Sequence, residues 1–294
     1  MTVYKWGDRM KHIGVIPNKL KDTDLKITEH IAKWFNERQL SVYAAYDVAS
    51  QLKAHTVAVS TEELYDICDS LIVIGGDGTI LRVAEAASAR DIPIVGVNLG
   101  RLGFLADIEP QEIEISLKKL LEGDYEIEER MMLKATIIAP EGEKFIYHAL
   151  NDINVTRGNF ARLVEFEIRI NNELCDIYPA DGMIIASPTG STAYNLSAGG
   201  PILVPHANTY VVTPICPHTL YAKSIMLSDQ DTIQITTLEE AKDMALSIDG
   251  RLEMYLTPQH VVHVEKASQV TKLMKLSERK FFDILREKIV ERRR

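Results

Sequence analysis

The sequence Leu71-Ile72-Val73-Ile74-Gly75-Gly76-Asp77-Gly78-Thr79 joins four apolar residues to a loop of three glycines and an aspartate. An uninterrupted apolar run of this kind predicts a buried strand of a parallel sheet. Glycines at the carboxyl end of such a strand let a phosphate approach the backbone, and a following helix start adds a positive dipole end. The stretch therefore predicts an open α/β domain with an anion-binding loop at the sheet edge.

Asp77 is the chemically informative residue of this loop, because a carboxylate repels phosphate. Its presence makes sense if it binds magnesium or accepts a proton from an attacking hydroxyl. The structural alternative is a glycine turn in which Asp77 is the N-cap of the next helix. The chain contains no GxxxxGK[ST] sequence, so a P-loop mechanism is not expected.

The first third of the chain alternates strand and helix patterns. Residues 13–16, 41–45 and 94–97 are short apolar runs, and a helix is predicted from apolar residues at helical spacing, with Thr23 or Asp24 as its cap: Ile27, Ile31, Trp34 and Phe35. This order predicts a doubly wound α/β domain.

Beyond about residue 125 the helical spacing gives way to strand-like alternation, as in residues 164–170, and Asn171-Asn172 reads as a hairpin turn. We predict an all-β, sandwich-like second domain over residues 125–267. A final helix over residues 278–290, with Phe281, Phe282, Leu285 and Ile289 on one face, is expected to pack back on the first domain. The first domain is then residues 1–124 completed by 268–294.

Composition narrows the function class. The 294 residues carry a net charge of −9 and three scattered cysteines, which argues against a basic nucleic-acid binder, a disulfide framework and a zinc site. The start has no signal-peptide pattern, and no apolar run is long enough to span a membrane, so a cytoplasmic protein is expected. Residues 182–222 contain no charged side chain but five prolines, which favours buried loops lining a pocket over ordinary core strands and turns.

Gly75-Gly76-Asp77-Gly78-Thr79 resembles the signature shared by NAD kinases, diacylglycerol and sphingosine kinases and, more loosely, 6-phosphofructokinases. Further segments are similar to NAD kinase motifs alone and occur in that family's order: residues 98–105, 150–152, 181–194, 196–201, 214–218 and 247–250. The chain is therefore identified as a member of the NAD kinase family. The resemblance implies an α/β domain, a β-sandwich with the site between them, and a homodimer or homotetramer.

The resemblance also implies the reaction and its residues. Asp77 would accept the proton of the adenosine ribose 2′-hydroxyl of NAD, which then attacks the γ-phosphorus of ATP, with Mg²⁺ or another divalent cation arriving through ATP. Residue chemistry and resemblance together give these nucleotide-binding positions: Gly75, Gly76, Gly78, Thr79, Arg82, Phe104, Asn151, Asp152, Arg162, Asp181, Thr189, Thr192, Ala193, Tyr194, Ser197 and Arg251. Three positions depart from common family residues, namely Asp152 for Glu, Asn195 for Ser and Arg251 for Gln.

Several of these positions also have structural interpretations. Phe104 either stacks on an adenine or nicotinamide ring or fills the end of a core. Asn151 and Asp152 either hold ribose hydroxyls or form an Asx turn. Residues 189–194 form either a nucleoside cradle or a turn with a helix cap. Two other functions share the glycine loop or scaffold: a lipid kinase, which needs an apolar entrance, and a non-catalytic nucleotide sensor, which has no need of Asp77.

Overall fold

The computed structural model describes residues 10–101, 103–158, 164–219, 221–237 and 244–291. The chain divides into two compact units. Unit 1 is Met1–Glu129 with Thr271–Arg294, and unit 2 is Arg130–Val270. The two domain boundaries expected from the sequence, after residues 124 and 267, each lie a few residues before the boundaries between these units.

The strands, in chain order, are β1 His12–Pro17, β2 Ser41–Ala45, β3 Val57–Val59, β4 Ser70–Gly75, β5 Ile94–Asn98, β6 Glu126–Ile138, β7 Lys144–Ala149, β8 Asp152–Arg157, β9 Val164–Ile170, β10 Glu173–Ala180, β11 Gly182–Ala186, β12 Thr209–Ile215, β13 Ile225–Ser228, β14 Ile233–Thr237, β15 Met244–Ile248, β16 Arg251–Leu256 and β17 Val261–Lys275. The α-helices are α1 Lys26–Asn36, α2 Tyr46–Ala49, α3 Thr61–Ile67, α4 Asp77–Ser88, α5 Ile113–Glu122, α6 Tyr194–Ser197 and α7 Phe281–Glu291. Short 3₁₀ turns cover Thr23–Leu25, Pro110–Glu112 and Gly190–Thr192.

Unit 1 contains a parallel sheet in the strand order β3-β2-β1-β4-β5. Successive strands move in one direction from β1 to β3 and in the other from β4 to β5. The order therefore reverses between β1 and β4, where Pro17 pairs with Ile74. In open α/β sheets this reversal opens a crevice at the carboxyl ends of the strands, and ligands bind there. The loop after β4 begins at that crevice.

The core of unit 1 explains why β4 has no alternation. Every residue of β4 is buried, because helices cover both faces of a parallel sheet. Ile31 and Phe35 of α1 pack with Ile72 and Ile74 in one cluster. Burying each such side chain contributes about 1.5–3 kcal/mol. The apolar residues predicted at helical spacing in α1 thus form a stripe that faces the core.

The start of α1 differs from the prediction of Thr23 or Asp24 as its cap. The buried carboxylate of Asp22 accepts hydrogen bonds from the backbone N–H groups of Ile27 and Thr28, both at 2.9 Å, and from Thr28 Oγ1 at 2.6 Å. Asp24 and Leu25 instead adopt left-handed backbone angles, with φ of 58° and 53°. Asp22 therefore satisfies the first-turn donors from outside the helix.

The predicted C-terminal helix is present as α7, but one residue predicted on its apolar face, Phe282, is exposed. Phe281 packs on Phe104 of the same unit, but Phe282 is 60% exposed and Ile284 is buried instead. The side chain of Ile289 lies outside the described part. The helix begins only at Phe281, and its first turn places the half-buried Phe281 and the buried Ile284 on the side that faces the protein.

Unit 2 is built almost entirely of β-strands. One antiparallel set has the order β10-β9-β14-β17, with the β6–β7 hairpin joined to β17, and a second sheet has the order β13-β12-β11-β8-β15-β16. Side chains of both sets, such as Phe166 and Met183, share one core. The predicted Asn171-Asn172 turn is confirmed between β9 and β10, where both residues have positive φ. β17 begins in this unit, and its last residues belong to unit 1.

Candidate active site

The loop after β4 depends on glycine for close packing. A β-carbon at Gly75 would lie 2.4 Å from Thr79 Oγ1 and 2.8 Å from Asn18 Cβ. Gly76 has a φ of 144°, which favours glycine, and it is the N-cap of α4. Asp77 is therefore the first helical residue and not the cap, and its side chain is free to point elsewhere.

The Asp77 carboxylate binds the segment that follows β5. Oδ2 accepts from the backbone N–H of Phe104 at 2.8 Å, and Oδ1 accepts from Leu105 and Ala106, each at 3.1 Å. A β-carbon at Gly103 would lie 1.9 Å from Asp77 Oδ1, so only glycine fits there. The two glycine-containing loops predicted at one sheet edge thus meet through Asp77.

Asn98, at the end of β5, shapes the other side of this edge. Its side-chain Nδ2 donates to the carbonyls of Gly100 and Arg101 at 3.3 and 3.1 Å. The backbone N–H of Ile108 donates to the Gly96 carbonyl at 2.9 Å, so the end of the loop is bonded to β5. The 98–108 segment is therefore fixed at both ends.

The loop after β1 was not predicted as part of the site, although it stands at the same crevice. Asn18 N–H donates to the Ile74 carbonyl at 2.7 Å, and Asn18 Nδ2 contacts Thr79 Oγ1 at 3.4 Å. Lys21 Nζ donates to the Gly75 carbonyl at 3.2 Å. The position of this loop could have indicated its role, because it directly follows β1, the strand next to the reversal of strand order.

A cleft of about 490 Å³ in unit 1 adjoins the glycine loop. Its polar lining includes Asn18, Thr79 and Arg82, and its apolar lining includes Val48 and Tyr65. The volume lies in the usual range for small-molecule sites. Thr79 is buried and Arg82 is exposed, so the predicted residue Arg82 reaches the mouth of this cleft.

In unit 2, Asn151 and Asp152 are positioned by Asp249, which lies in the motif at residues 247–250 but was not among the predicted site residues. The Asp249 carboxylate accepts from the backbone N–H groups of Leu150 at 2.9 Å, Asn151 at 2.7 Å and Asp152 at 3.0 Å. No Asx turn of Asn151 or Asp152 is needed to hold this backbone. Its conformation is set instead by a carboxylate about a hundred residues away in sequence.

The side chain of Asp152 is nearly buried, at 4% exposure. Burial, with a smaller contribution from the negative charge of Asp249, raises its pKa to about 6 against the opposing effect of the hydrogen bond from Asn154 Nδ2. Burial also raises the pKa of Asp249, against the effect of its three backbone donors. A carboxyl with a pKa near 6 is mostly ionised at pH 7, and a pKa raised in this way is common at functional sites.

Residues 187–197 form a compact turn with a short helix. Thr189 Oγ1 accepts from Arg130 Nη1 at 3.2 Å, and Thr192 Oγ1 donates to the Thr189 carbonyl at 3.2 Å. A β-carbon at Gly190 would lie 2.0 Å from the Asn151 carbonyl oxygen, so this turn packs directly on the Asn151 backbone. The structure thus joins two of the predicted segments within unit 2.

The remaining predicted positions of this turn point outward. Tyr194 is 44% exposed and Ser197 is exposed, while Ala193 is half-buried. Asn195 is fully buried, and its Nδ2 donates to the carbonyls of Ser191 and Pro201 at 3.1 and 2.9 Å. The departure to Asn at this position therefore serves the fold of the turn.

Of four further predicted positions, the structure describes three. Asp181 forms an ion pair with Arg157 at 3.1 Å. Arg251 is exposed, and its Nη2 lies 3.4 Å from Glu253 Oε1. Arg162 lies outside the described residues. Phe104 is half-buried, with its ring centroid 5.6 Å from that of Phe281 and 4.8 Å from Lys288 Nζ, so α7 already covers part of it.

The described acidic, histidine and cysteine side chains are too scattered to form a metal site. Within the described ranges, no group of three or more His, Cys, Asp or Glu side chains is arranged to hold an ion. Asp77, the acidic residue closest to the glycines, uses both carboxylate oxygens on backbone N–H groups. The protein atoms described therefore do not form a metal cage of their own.

Comparison with known proteins gives the family. The family model described as the ATP-NAD kinase N-terminal domain matches residues 13–125, and that of the ATP-NAD kinase C-terminal domain matches residues 150–276. The chain belongs to the NAD kinase family. It is similar to the NAD kinase of Thermoanaerobacter sp. (strain X514), with 42% identity over 96% of this chain and all of that protein. The NAD kinase of Natranaerobius thermophilus is 38% identical over 95% of this chain and 98% of its own.

Solved structures agree with this assignment to the NAD kinase family. An NAD kinase from Archaeoglobus fulgidus in complex with ATP superposes with a TM-score of 0.73 at 26% identity, covering 94% of this chain and 98% of that one. Yeast NADH kinase complexed with NADH superposes with a TM-score of 0.88 at 24% identity, covering 96% and 88%, which supports the fold. The predicted fold class is confirmed, and the chain is a phosphotransferase of the NAD kinase type. None of the helices in the described ranges is long and apolar enough to cross a membrane.

Proposed function

We propose that this NAD kinase transfers the γ-phosphoryl group of ATP to the 2′-hydroxyl of the adenosine ribose of NAD, giving NADP and ADP. The observation that carries this proposal is Asp77, held beside the glycine loop at the carboxyl ends of β4 and β5. The 2′-hydroxyl loses its proton to Asp77 as its oxygen forms the new bond to phosphorus. The bond between that phosphorus and ADP breaks, and ADP leaves.

The carboxylate of Asp77 is suited to this part because it is positioned before substrate arrives. Two carboxylate oxygens offer about four acceptor positions, and the backbone of residues 104–106 takes three of them. One position is left for a hydroxyl. Such a fixed acceptor needs no reorganisation when the proton moves.

The donor nucleoside is assigned to the cleft of about 490 Å³ in unit 1. Its apolar wall, with Val48 and Tyr65, suits a base, and Thr79 and Arg82 offer polar contacts beside Gly75 and Gly76. Gly78 is exposed at the start of α4, and the first backbone N–H groups of a helix attract an anion. The triphosphate then runs from the cleft toward Asp77.

The acceptor nucleotide is assigned to the unit 2 residues Asn151, Asp152, Asp181, Thr189, Thr192, Ala193, Tyr194 and Ser197, with Arg162 and Arg251 as basic positions. Asp152 would accept ribose hydroxyls, because the two oxygens of a carboxylate can each accept a hydrogen bond from a hydroxyl. The partly exposed Tyr194 offers a ring face to a base. The similarity to NAD kinases over the whole 150–276 segment supports these roles.

A divalent cation would be carried by the phosphates of ATP, since the described residues form no cage for it. When bound, it neutralises phosphate charge and stabilises the leaving group. We further propose a homodimer or homotetramer acting in the cytoplasm, on the similarity to bacterial NAD kinases.

The test is NADP formation from ATP, Mg²⁺ and NAD by the purified chain, compared with Asp77→Asn and, as a matched control, Asp91→Asn. Asp91 is an exposed carboxylate in the same unit, paired with Lys272. We expect Asp77→Asn to lower kcat by a factor of about 10² or more, as loss of a general base does, and Asp91→Asn to leave it unchanged. Lipid phosphorylation without NADP would identify a lipid kinase, and nucleotide binding without turnover a sensor. Either result would replace the proposal.

A further inference from the structure

Lys21 places a cation directly over the glycine loop. Its Nζ donates to the Gly75 carbonyl at 3.2 Å. A β-carbon would lie 3.2 Å from this Nζ if added to Gly76, and 3.3 Å if added to Gly100. The ammonium therefore occupies space that two glycines, one after β4 and one after β5, leave open.

The segment that carries Lys21 is anchored on both sides. Asn18 N–H donates to the Ile74 carbonyl, and the Asn18 carbonyl accepts from the N–H groups of Lys21 and Asp22, both at 2.9 Å. Asp22 is buried, and its carboxylate binds the first turn of α1. The backbone at Lys21 is thus fixed relative to the end of β4, at the reversal of strand order.

Lys21 also differs from its neighbouring lysines in its charge environment. Lys19 is paired with Asp47, and Lys26 Nζ lies 3.7 Å from Asp24 Oδ2. Among the described residues, no carboxylate forms an ion pair with Lys21, whose polar contact is a neutral carbonyl. An exposed ammonium held against a glycine loop without an anion is arranged to accept one.

We propose that Lys21 binds a phosphate oxygen of the phosphoryl donor, and that it supplies the charge which a Walker lysine provides in P-loop enzymes. The proposal rests on the proposed use of ATP. Asp77 follows Gly75 and Gly76 directly, and its negative charge repels a phosphate placed above these glycines. Lys21 offsets that charge and directs the donor, so that it is a catalytic residue in contact with substrate and not a support for the loop.

The experiment compares wild-type chain, Lys21→Met and the control Lys26→Met, which removes an equal charge from the exposed start of α1. Binding of ATP, inorganic tripolyphosphate and adenosine is measured by calorimetry, and NADP formation is measured over a range of ATP and of NAD. We expect Lys21→Met to weaken ATP and tripolyphosphate roughly 10- to 100-fold, the effect of one charged hydrogen bond. Adenosine affinity and the KM for NAD should stay within about twofold of the wild-type values, a pattern that general loosening of the loop would not produce.

A second variant keeps the lysine. Gly100 is not among the glycines with positive φ, so alanine is not strained there on that account, and, apart from its chain neighbours, the added β-carbon of Gly100→Ala has only Lys21 Nζ within 4 Å among the described atoms. It should weaken tripolyphosphate in wild type but have no further effect in Lys21→Met. Additive losses in that double variant would overturn the proposal.

Three outcomes contradict the assignment: unchanged ATP affinity in Lys21→Met, equal losses for adenosine and ATP, or the same losses in Lys26→Met. The result is separable from the proposed reaction. If the wild-type chain makes no NADP, the reaction fails, while the binding comparison still decides Lys21. If it makes NADP and Lys21→Met binds tripolyphosphate normally, only the role of Lys21 fails.

Discussion

The backbone N–H of Phe104 donates to Oδ2 of Asp77 at 2.8 Å, so the carboxylate proposed to accept a proton also fixes the loop after β5. A substitution at Asp77 therefore changes two things, the acceptor and the path of residues 103–106. Variants of the loop that keep the carboxylate are needed to separate the two effects.

Gly103→Ala is the sharpest of these variants. Its β-carbon would lie 1.9 Å from Asp77 Oδ1, so the loop must move and the hydrogen bonds to residues 104–106 must lengthen. We expect kcat to fall at least 10²-fold although Asp77 is intact, because a displacement of about 1 Å costs that much. Steady-state NADP formation measures the loss. Gly142→Ala, where a β-carbon meets nothing within 4 Å, should lower stability by about 1 kcal/mol through its positive φ and leave kcat unchanged. Equal activity in wild type and Gly103→Ala would show that the loop position is unimportant.

Asp249 is predicted to affect the binding of NAD indirectly, by holding the backbone of residues 150–152 in place. Asp249→Ala leaves the N–H groups of Leu150, Asn151 and Asp152 without their acceptor, and each buried orphan costs about 1–3 kcal/mol. We expect a loss of about 3 kcal/mol or more in the free energy of unfolding, measured by urea denaturation, and a raised KM for NAD. Asp249→Asn retains one accepting oxygen and should lose less. Glu173→Gln, an exposed charge removal at the start of β10, serves as the control. A wild-type KM for NAD in Asp249→Asn and in a folded Asp249→Ala would count against this role.

Asp152 is predicted to make stability depend on pH. Its pKa is about 6 in the folded protein, above its ordinary value of 3.8. The unfolded chain therefore releases this proton first, and stability falls as pH rises from about 4 to 6, by up to roughly 3 kcal/mol. Asp152→Asn lacks this proton, so its stability relative to wild type should increase over that pH range. Denaturation curves at pH 4 to 7 test this, with the exposed Asp176→Asn as control. Parallel pH profiles for wild type and Asp152→Asn would refute it.

Asp107 is predicted to hold the end of β17 to unit 1 with the opposite pH dependence. Burial opposes its ionisation, but the charge of Lys275 and hydrogen bonds from Leu276 and Ser277 lower its pKa overall. Its stabilising effect is therefore complete above pH 3.8 and is lost as pH falls through the lowered folded pKa. Asp107→Asn should cost about 2–4 kcal/mol of unfolding free energy at pH 7, and Asp91→Asn, an exposed pair, less than about 1. A similar cost at pH 3 and pH 7 would contradict the assignment.

The sequence predicted most of the fold because its signals are local. The apolar run at residues 71–74 and the alternation at residues 164–170 each depend on which faces are buried, and burial leaves a period in the sequence. The strand β3 was missed, since Val57–Val59 is too short to show one. The cap of α1 was misassigned because Asp22 acts from outside the helix, across two residues with left-handed angles.

The site was predicted in part, and the division follows chemistry. Glycines and Asp77 stand together in one pentapeptide, so their function is visible in the sequence. Lys21 and Asp249 act on residues that lie about 55 and 100 positions away, through contacts that no spacing rule reveals. Phe104 was equally open to stacking on a base or to packing, and its contact with Phe281 depends on where a distant helix returns.

The passage of β17 from unit 2 into unit 1 affects how the protein is made. Unit 1 needs Thr271–Arg294, yet the ribosome delivers that segment only after all of Arg130–Val270. At ordinary translation speeds the nascent β5 edge waits on the order of ten seconds for its partner Leu273. During this interval Ile94, which pairs with Leu71 of β4 on one side, has no partner on the other side, and this open strand edge can pair with another chain. Slow translation of unit 2 would lengthen this interval, and a chaperone that covers β5 would reduce the risk of aggregation.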